Sequence, residues 1–352
     1  MSEPDTIIID TTDRIFRDLG DPQAIIADPG GAWKATLWQA LEEAGLTLAW
    51  VPEAQGGAGV EVMDGFDILG VAGRHAVAVP LAETLLAGWL LAKAGMSAPL
   101  GPMTLALGSG GDAPSVRAGK LSGVVRGVPF AEDADHLALV ADSDDGRQVV
   151  CVALAGCTIA GGPGMAGDGL ATVTFDNADV VSSGAVPNTL GAEDVMLMGA
   201  AVRAQQMAGA LQAVLDISVD YAKERMAFGR PIAKFQAVQQ NLARLAGEVA
   251  AAAAAGSAAD TIQHAESFDS AVFLEVAAAK IRTGEAAGAG AAIAHQVHGA
   301  MGFTDEHILH RYTQRLFAWR DDFGSEAEWA AGLGAMVAGG GADQLWPLVA
   351  SR

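Results

Sequence analysis

The apolar residues change their spacing twice along the chain, and the order of those changes excludes most layered α/β architectures. From Asp5 to about Leu100 residues such as Ile15, Leu19, Leu41, Ile68, Leu86 and Leu90 recur at helix-like intervals. Asp10 or Thr11 is the expected cap of the first helix, and the Gly-rich run between Trp50 and Val62 interrupts the helical series. From about Gly101 to Pro187 the pattern becomes that of strands. His136–Asp142 and Gln148–Leu154 flank an Asp145-Gly146 hairpin signal, and Leu170–Val181 alternates like a further strand. Gly161–Gly169 reads as a loop. Gly108–Asp112 lacks the Lys-Ser/Thr of a phosphate loop and reads as a connector.

From Leu190 onward helices return and stay. The spacing predicts one from about Ala192 to Arg225 and a second carrying Phe235, Val238, Leu242, Leu245 and Val249, an apolar seam of the kind found in bundles. The alanine run Ala250–Ala255 is expected to be helix packed closely on a neighbour. A last long helix is predicted from Asp269 to His298, stopped by Gly299. Helices, then strands, then helices is an α+β arrangement, mainly α, and is incompatible with a Rossmann sheet. The expected layout is an N-terminal helical domain over 1–100, a small middle β-domain over 101–188, and a C-terminal four-helix bundle over 189–352.

Composition narrows the function. The 352 residues carry 21 Lys and Arg against 42 Asp and Glu, a formal charge of −21. Such a surface repels nucleic-acid backbones and anionic headgroups, so any anionic ligand must be held by local Arg or Lys or by bare backbone N–H groups. Two cysteines, Cys151 and Cys157, make neither a disulfide framework nor a zinc site. His295 and His298 lack a third ligand, and no Gly-x-Ser-x-Gly elbow exists. No basic-then-apolar leader and no spanning stretch are visible, which leads to the expectation of a soluble, cytoplasmic protein.

Two stretches concentrate the remaining chemistry. In the first, Arg225, Arg230 and Lys234 surround a Phe228-Gly229-Arg230-Pro231 turn, a place for an anion in an otherwise acidic chain. In the second, Gly299 and Gly302 precede an Arg-rich helix (Arg311, Arg315, Arg320) that runs into Asp321, Asp322 and Gly324.

Together these stretches resemble the acyl-CoA dehydrogenase flavoprotein family. The family's Arg-x-x-Phe-Gly-x-Pro-Ile-x-x-Phe-Gln turn matches Arg225, Phe228, Gly229, Pro231, Ile232, Phe235 and Gln236. Its Gln-x-x-Gly-Gly-x-Gly-Phe-Thr element matches Gln296, Gly299, Ala300, Gly302, Phe303 and Thr304, and its Pro-Glu-x-x-Gly-Gly-x-Gly segment is similar to the run after Trp50. The resemblance implies FAD as cofactor and removal of a Cα proton and a Cβ hydride from an acyl-CoA thioester. It further implies reoxidation by an electron-transfer flavoprotein. By residue-wise carry-over Arg225 contacts the pyrophosphate, Phe228 and Gln236 seat the cofactor, and Gln296, Gly299 and Ala300 reach FAD from a neighbouring subunit of a homodimer or homotetramer.

The sequence departs from the family at the catalytic base. An ungapped alignment puts Phe323 where the family carries glutamate, with Asp322, and Asp321 behind it, as the nearest carboxylates. The family's alternative base position falls near Gly199. The middle β-domain also lacks the family's Thr-Glu-Pro and Gly-Ser-Asp loop. Some family members with such features act as one subunit of a heteromeric enzyme, so a heterotetramer with a related subunit is an alternative. A non-catalytic flavin- or acyl-CoA-binding scaffold and an oxygen-using flavin oxidase or monooxygenase on the same fold are the others.

Overall fold

The computed structural model describes every residue except 1–5, 29–30, 108–112, 145, 163, 188–189 and 351–352. Its contacts divide the chain into two compact units, Met1–Met198 and Gly199–Arg352. Among the described residues the first opens with the α-helices α1 (Thr6–Leu19), α2 (Pro22–Ala27), α3 (Ala32–Glu43), α4 (Val62–His75) and α5 (Leu81–Lys93). Asp10 and Thr11 lie inside α1 instead of capping it, because the helix begins a turn earlier than the polar residues suggest. In the Gly-rich break, Trp50 lies flat on α4. Its Nε1 donates to the Val62 carbonyl at 3.0 Å, and a Cβ on Gly65 would fall 1.9 Å from that nitrogen. Every residue of α5 from Leu81 to Leu91 is buried, as expected of a helix apolar on all sides.

Among the described residues seven strands follow: β1 (Met103–Ala106), β2 (Ser115–Arg117), β3 (Lys120–Pro129), β4 (His136–Ser143), β5 (Gly146–Ala153), β6 (Thr158–Gly162) and β7 (Leu170–Ala185). Their order is β1-β4-β2-β3-β7-β5, with β6 beside β7, and an extra β4–β5 pairing closes β4, β2, β3, β7 and β5 into a ring. The ring interior holds Leu121, Val125, Leu137, Leu139, Val150, Val152, Val173 and Phe175. The predicted hairpin forms, with Ser143 opposite Gly146; Asp145 lies outside the described residues. Gly161 and Gly162, expected in a loop, pair with Ala171 and Leu170 as the end of β6. The connector Gly108–Asp112 also lies outside the described residues. Thr84 ties α5 to β1: its hydroxyl donates to the Met103 carbonyl at 3.0 Å and accepts from the Met103 amide at 2.9 Å.

The helix α6 (Ala192–Glu224) leads into the second unit, where a short hairpin of β8 (Met226–Ala227) and β9 (Arg230–Pro231) precedes α7 (Gln236–Ala252), α8 (Ala254–His264), α9 (Ser270–His298), α10 (Leu309–Asp321), α11 (Glu326–Gly340) and α12 (Ala342–Ala350). The long helix α9 is the hub, packing on α7, α8, α10 and α11. Asp269 caps it, accepting from the amides of Ala271 and Val272 at 2.8 and 3.2 Å. Its buried face is mostly Ala and Gly, so neighbours approach closely. At Gly290 a Cβ would lie 3.0 Å from Leu211 of α6 and 3.3 Å from Leu245 of α7. Of the predicted seam, Leu245 is fully buried while Val238, Leu242 and Val249 are half-buried. The alanine run is not one helix. It breaks at Ala253, where α7 hands over to α8, although alanine favours helix at every position of the run.

Candidate functional site

The first cluster sits where α6 and α9 both end. The chain leaves α6 through Arg225 and turns at Phe228 and Gly229, whose φ values of 51° and 80° place both in the left-handed region, the conformation of a tight two-residue hairpin. That turn leaves the Phe228 ring 97% exposed. Arg230 lies over the Phe235 ring at 4.3 Å, whereas the exposed guanidinium of Arg225 has no hydrogen bond or ion pair among the described residues. Gln236 is exposed at the start of α7.

Tyr221 joins this turn to the second motif. Its hydroxyl donates to the His298 carbonyl at 3.3 Å, and its ring stacks on the His298 imidazole with centroids 4.3 Å apart. The last turns of α6 and α9 are therefore held side by side. Beyond His298, Gly299 adopts φ 61°, and Gln296, Gly299 and Ala300 are all exposed. Gln296 and Gly299 line an open cleft of about 690 Å³ with His295, Phe303, Thr313 and Phe317. His295 stacks on Phe303 at 4.1 Å, and its Nε2 lies 3.0 Å from the Thr313 hydroxyl. Burial, then the neighbouring histidines, lowers the pKa of His295 and His307. His298 is lowered mainly by burial, so these rings are uncharged near neutrality. An unpaired guanidinium, exposed backbone at a glycine and an open, uncharged cleft suit a cofactor that brings its own negative charge. The residues present fit FAD.

The second cluster lies at the C-terminal end of α10, beyond the residues of that helix that line the cleft. Asp322 ends α10, and one carboxylate oxygen accepts from Arg203 Nε at 3.0 Å. Arg203 is 2% exposed and also donates to Gln206 at 2.7 Å. Asp321 points outward, pairs with Arg320 at 3.2 Å, and is 65% exposed. Phe323 takes φ 53° and lays its ring on Gly199 of α6. Beneath the loop Lys280 of α9 is wholly buried and donates to the carbonyls of Trp319 and Arg320 at 3.1 and 2.6 Å. Burial lowers its pKa to about 8 against the opposing pull of Asp322. The sequence marks Arg203 and Gln206 as polar interruptions of an apolar stretch without placing them at a site, and gives no role to Lys280. The available signal was a polar residue inside an otherwise apolar helical stretch.

The fold and the match to known proteins define a flavoprotein dehydrogenase. Residues 192–319 match the profile of the acyl-CoA dehydrogenase C-terminal domain. Acyl-CoA dehydrogenase FadE27 of Mycobacterium tuberculosis is 31% identical, over 78% of this chain and 81% of the relative. Acyl-CoA dehydrogenase IpdE2 of Mycolicibacterium smegmatis is 28% identical over 90% and 93%. Among solved structures, the Tcur3481–Tcur3483 steroid ACAD is 25% identical with a TM-score of 0.81, covering 96% of this chain and 98% of that one. The ChsE4–ChsE5 complex of M. tuberculosis, at 23% identity, shares the fold with the same TM-score and coverage. This chain belongs to the acyl-CoA dehydrogenase family: it is an FAD-dependent oxidoreductase of lipid metabolism. Among the described residues no helix is long and apolar enough to cross a membrane.

Proposed function

We propose that this chain is one subunit of a heteromeric acyl-CoA dehydrogenase. It holds FAD with Arg225, Phe228, Gln236, Gln296, Gly299 and Ala300, and leaves proton abstraction to a carboxylate of a related partner chain. When bound, FAD would supply the acceptor for the hydride that leaves Cβ of the thioester as the base takes the proton from Cα, and an electron-transfer flavoprotein would reoxidise it. One observation carries the reading: the nearest in-chain carboxylate, Asp322, is already committed to the buried Arg203. That ion pair fixes the carboxylate toward Arg203 of α6, whereas proton abstraction needs a base within hydrogen-bond reach of the substrate carbon. The two-component naming of the Tcur3481–Tcur3483 steroid ACAD supports the same arrangement.

The test is Asp322→Asn, with Asp321→Asn beside it, in the chain co-expressed with its related partner. Reduction of the flavin by acyl-CoA is expected to keep its rate in both variants. A fall of orders of magnitude in Asp322→Asn with flavin still bound would return the base to this chain, making the enzyme self-sufficient.

A further inference from the structure

Imidazoles crowd together where α9 ends and α10 begins, and the hydrogen bonds around them fix where each proton sits. His298 Nδ1 lies 2.8 Å from the Ala294 carbonyl, so that nitrogen carries the hydrogen and donates it. His298 Nε2 is then a bare lone pair. It is buried, without a hydrogen-bond partner among the described residues, in a residue 3% exposed. His307 is the opposite tautomer: its Nδ1 accepts at 3.1 Å from the amide of Leu309, the first residue of α10. His295 Nε2 donates to the Thr313 hydroxyl, which itself donates to the His310 carbonyl, so His295 Nδ1 is a second bare, buried nitrogen.

A proton has no good place in this cluster. On His298 it would create a buried N–H with no acceptor. On His307 it would set N–H against the Leu309 N–H and put a cation at the positive end of α10. The charges that act on His298 are those of His307 and His295, and both oppose a further proton. From α6 it meets the Tyr221 ring, and from the segment before α10 the edge of His307 at 4.7 Å. His310 bears on His307 and His295 in the same sense, while Asp305 is drawn to Arg311. Lys223, Glu224 and Arg225 of α6, and Glu306, are exposed to solvent.

The cluster also joins the two motifs assigned to flavin. The Tyr221 carbonyl accepts from the Arg225 amide at 2.8 Å, one helical turn on, and His298 stands between Gln296 and Gly299. We infer that Tyr221, His298 and His307 form an acid-sensitive latch on the flavin site: with the imidazoles neutral it holds the ends of α6 and α9 together and the cofactor stays, and protonation opens it. The three are positioning residues that act through Arg225, Gln296 and Gly299, so the inference rests on the flavin reading of those residues. Burial first, then neighbouring histidines, depress His298 and His307 below their ordinary 6.5, so opening takes up protons. Flavin affinity is therefore full above about pH 6.5 and falls below it, by up to about tenfold per pH unit for each histidine protonated on opening.

The test follows FAD binding to the assembled flavoprotein by recovery of flavin fluorescence, from about pH 7.5 to about pH 5, with helix content read by circular dichroism. His298→Phe keeps a ring for Tyr221 and cannot take a proton. His307→Asn keeps an acceptor for the Leu309 amide and cannot either. The wild type should lose affinity below about pH 6.5 while its helix content stays level. The double variant should bind FAD with little dependence on pH, and each single variant should remove about half of the slope. A flat wild-type profile, or a slope of unchanged size in the single and double variants, overturns the latch. Helix content that falls with the flavin in every protein alike would mean acid unfolding and overturn it as well. The flavin reading fails separately: if Arg225→Ala keeps its flavin while release by acid still depends on the histidines, Arg225 leaves the site and the latch stands.

Discussion

Arg225 and Arg203 show how one side-chain type divides its work by burial. Arg225 is exposed and unpaired among the described residues, so its guanidinium is free for a diphosphate. Arg225→Ala is expected to release flavin and weaken the oligomer together, since a ligand held only by the assembled form stabilises that form by mass action. Flavin absorbance after gel filtration reads both; full retention would remove Arg225 from the cofactor site. Arg203 is 2% exposed and spends its charge on Asp322. Truncating it strands a half-buried carboxylate, so Arg203→Ala should cost roughly 3 kcal/mol in denaturant unfolding. Arg203→Met combined with Asp322→Asn should cost much less. The exposed arginine was legible in the sequence because it lies in a spaced motif. The buried one was not, because a lone Arg in an apolar helix does not announce its partner 119 residues away.

Helix ends carry most of what the elements contribute. Asp269 and Gly299 were readable as the start and stop of α9, because caps follow from local chemistry. Asp269→Ala should cost about 1 kcal/mol in stability, read as a shifted denaturant midpoint. The break at Ala253 was not readable, since it depends on what α9 presents to both halves. Where α9 ends, His295, His298 and His307 crowd together with His310 and Tyr221, and Asp305 and Arg311 lie on the adjoining segment. The folded pKa values of the first three are depressed below 6.5, so the unfolded chain takes up protons first as the pH falls. Their contribution is fully present above about pH 6.5 and is lost below it. Melting temperatures should decline on acidification across that value, and less steeply in His298→Gln. A flat profile would mean that the rings are not neutral in the fold.

At the scale of the molecule, the order of helices, strands and helices was legible because periodicity reports burial directly. Closure of the sheet was not, because β4 makes three pairings that no local pattern encodes. The same limit applies to assembly. Light scattering of the co-expressed complex should give a mass of two or four chains with both polypeptides present in equal amount. A single monomeric species at micromolar concentration would count against every subunit arrangement considered above.

The closed ring also constrains how the chain is made. The β4–β5 hairpin has a two-residue connection and can form as soon as Ala153 is available. Ring closure needs β7 on both β3 and β5, with Lys120 meeting Asp179 and Gln148 meeting Ala185. During synthesis β3 and β5 therefore wait with unpaired edges until Ala185 has left the ribosome, and such edges invite pairing with other nascent chains. A ribosome stalled before β7 would carry the most aggregation-prone form of this protein, and one stalled after it would not.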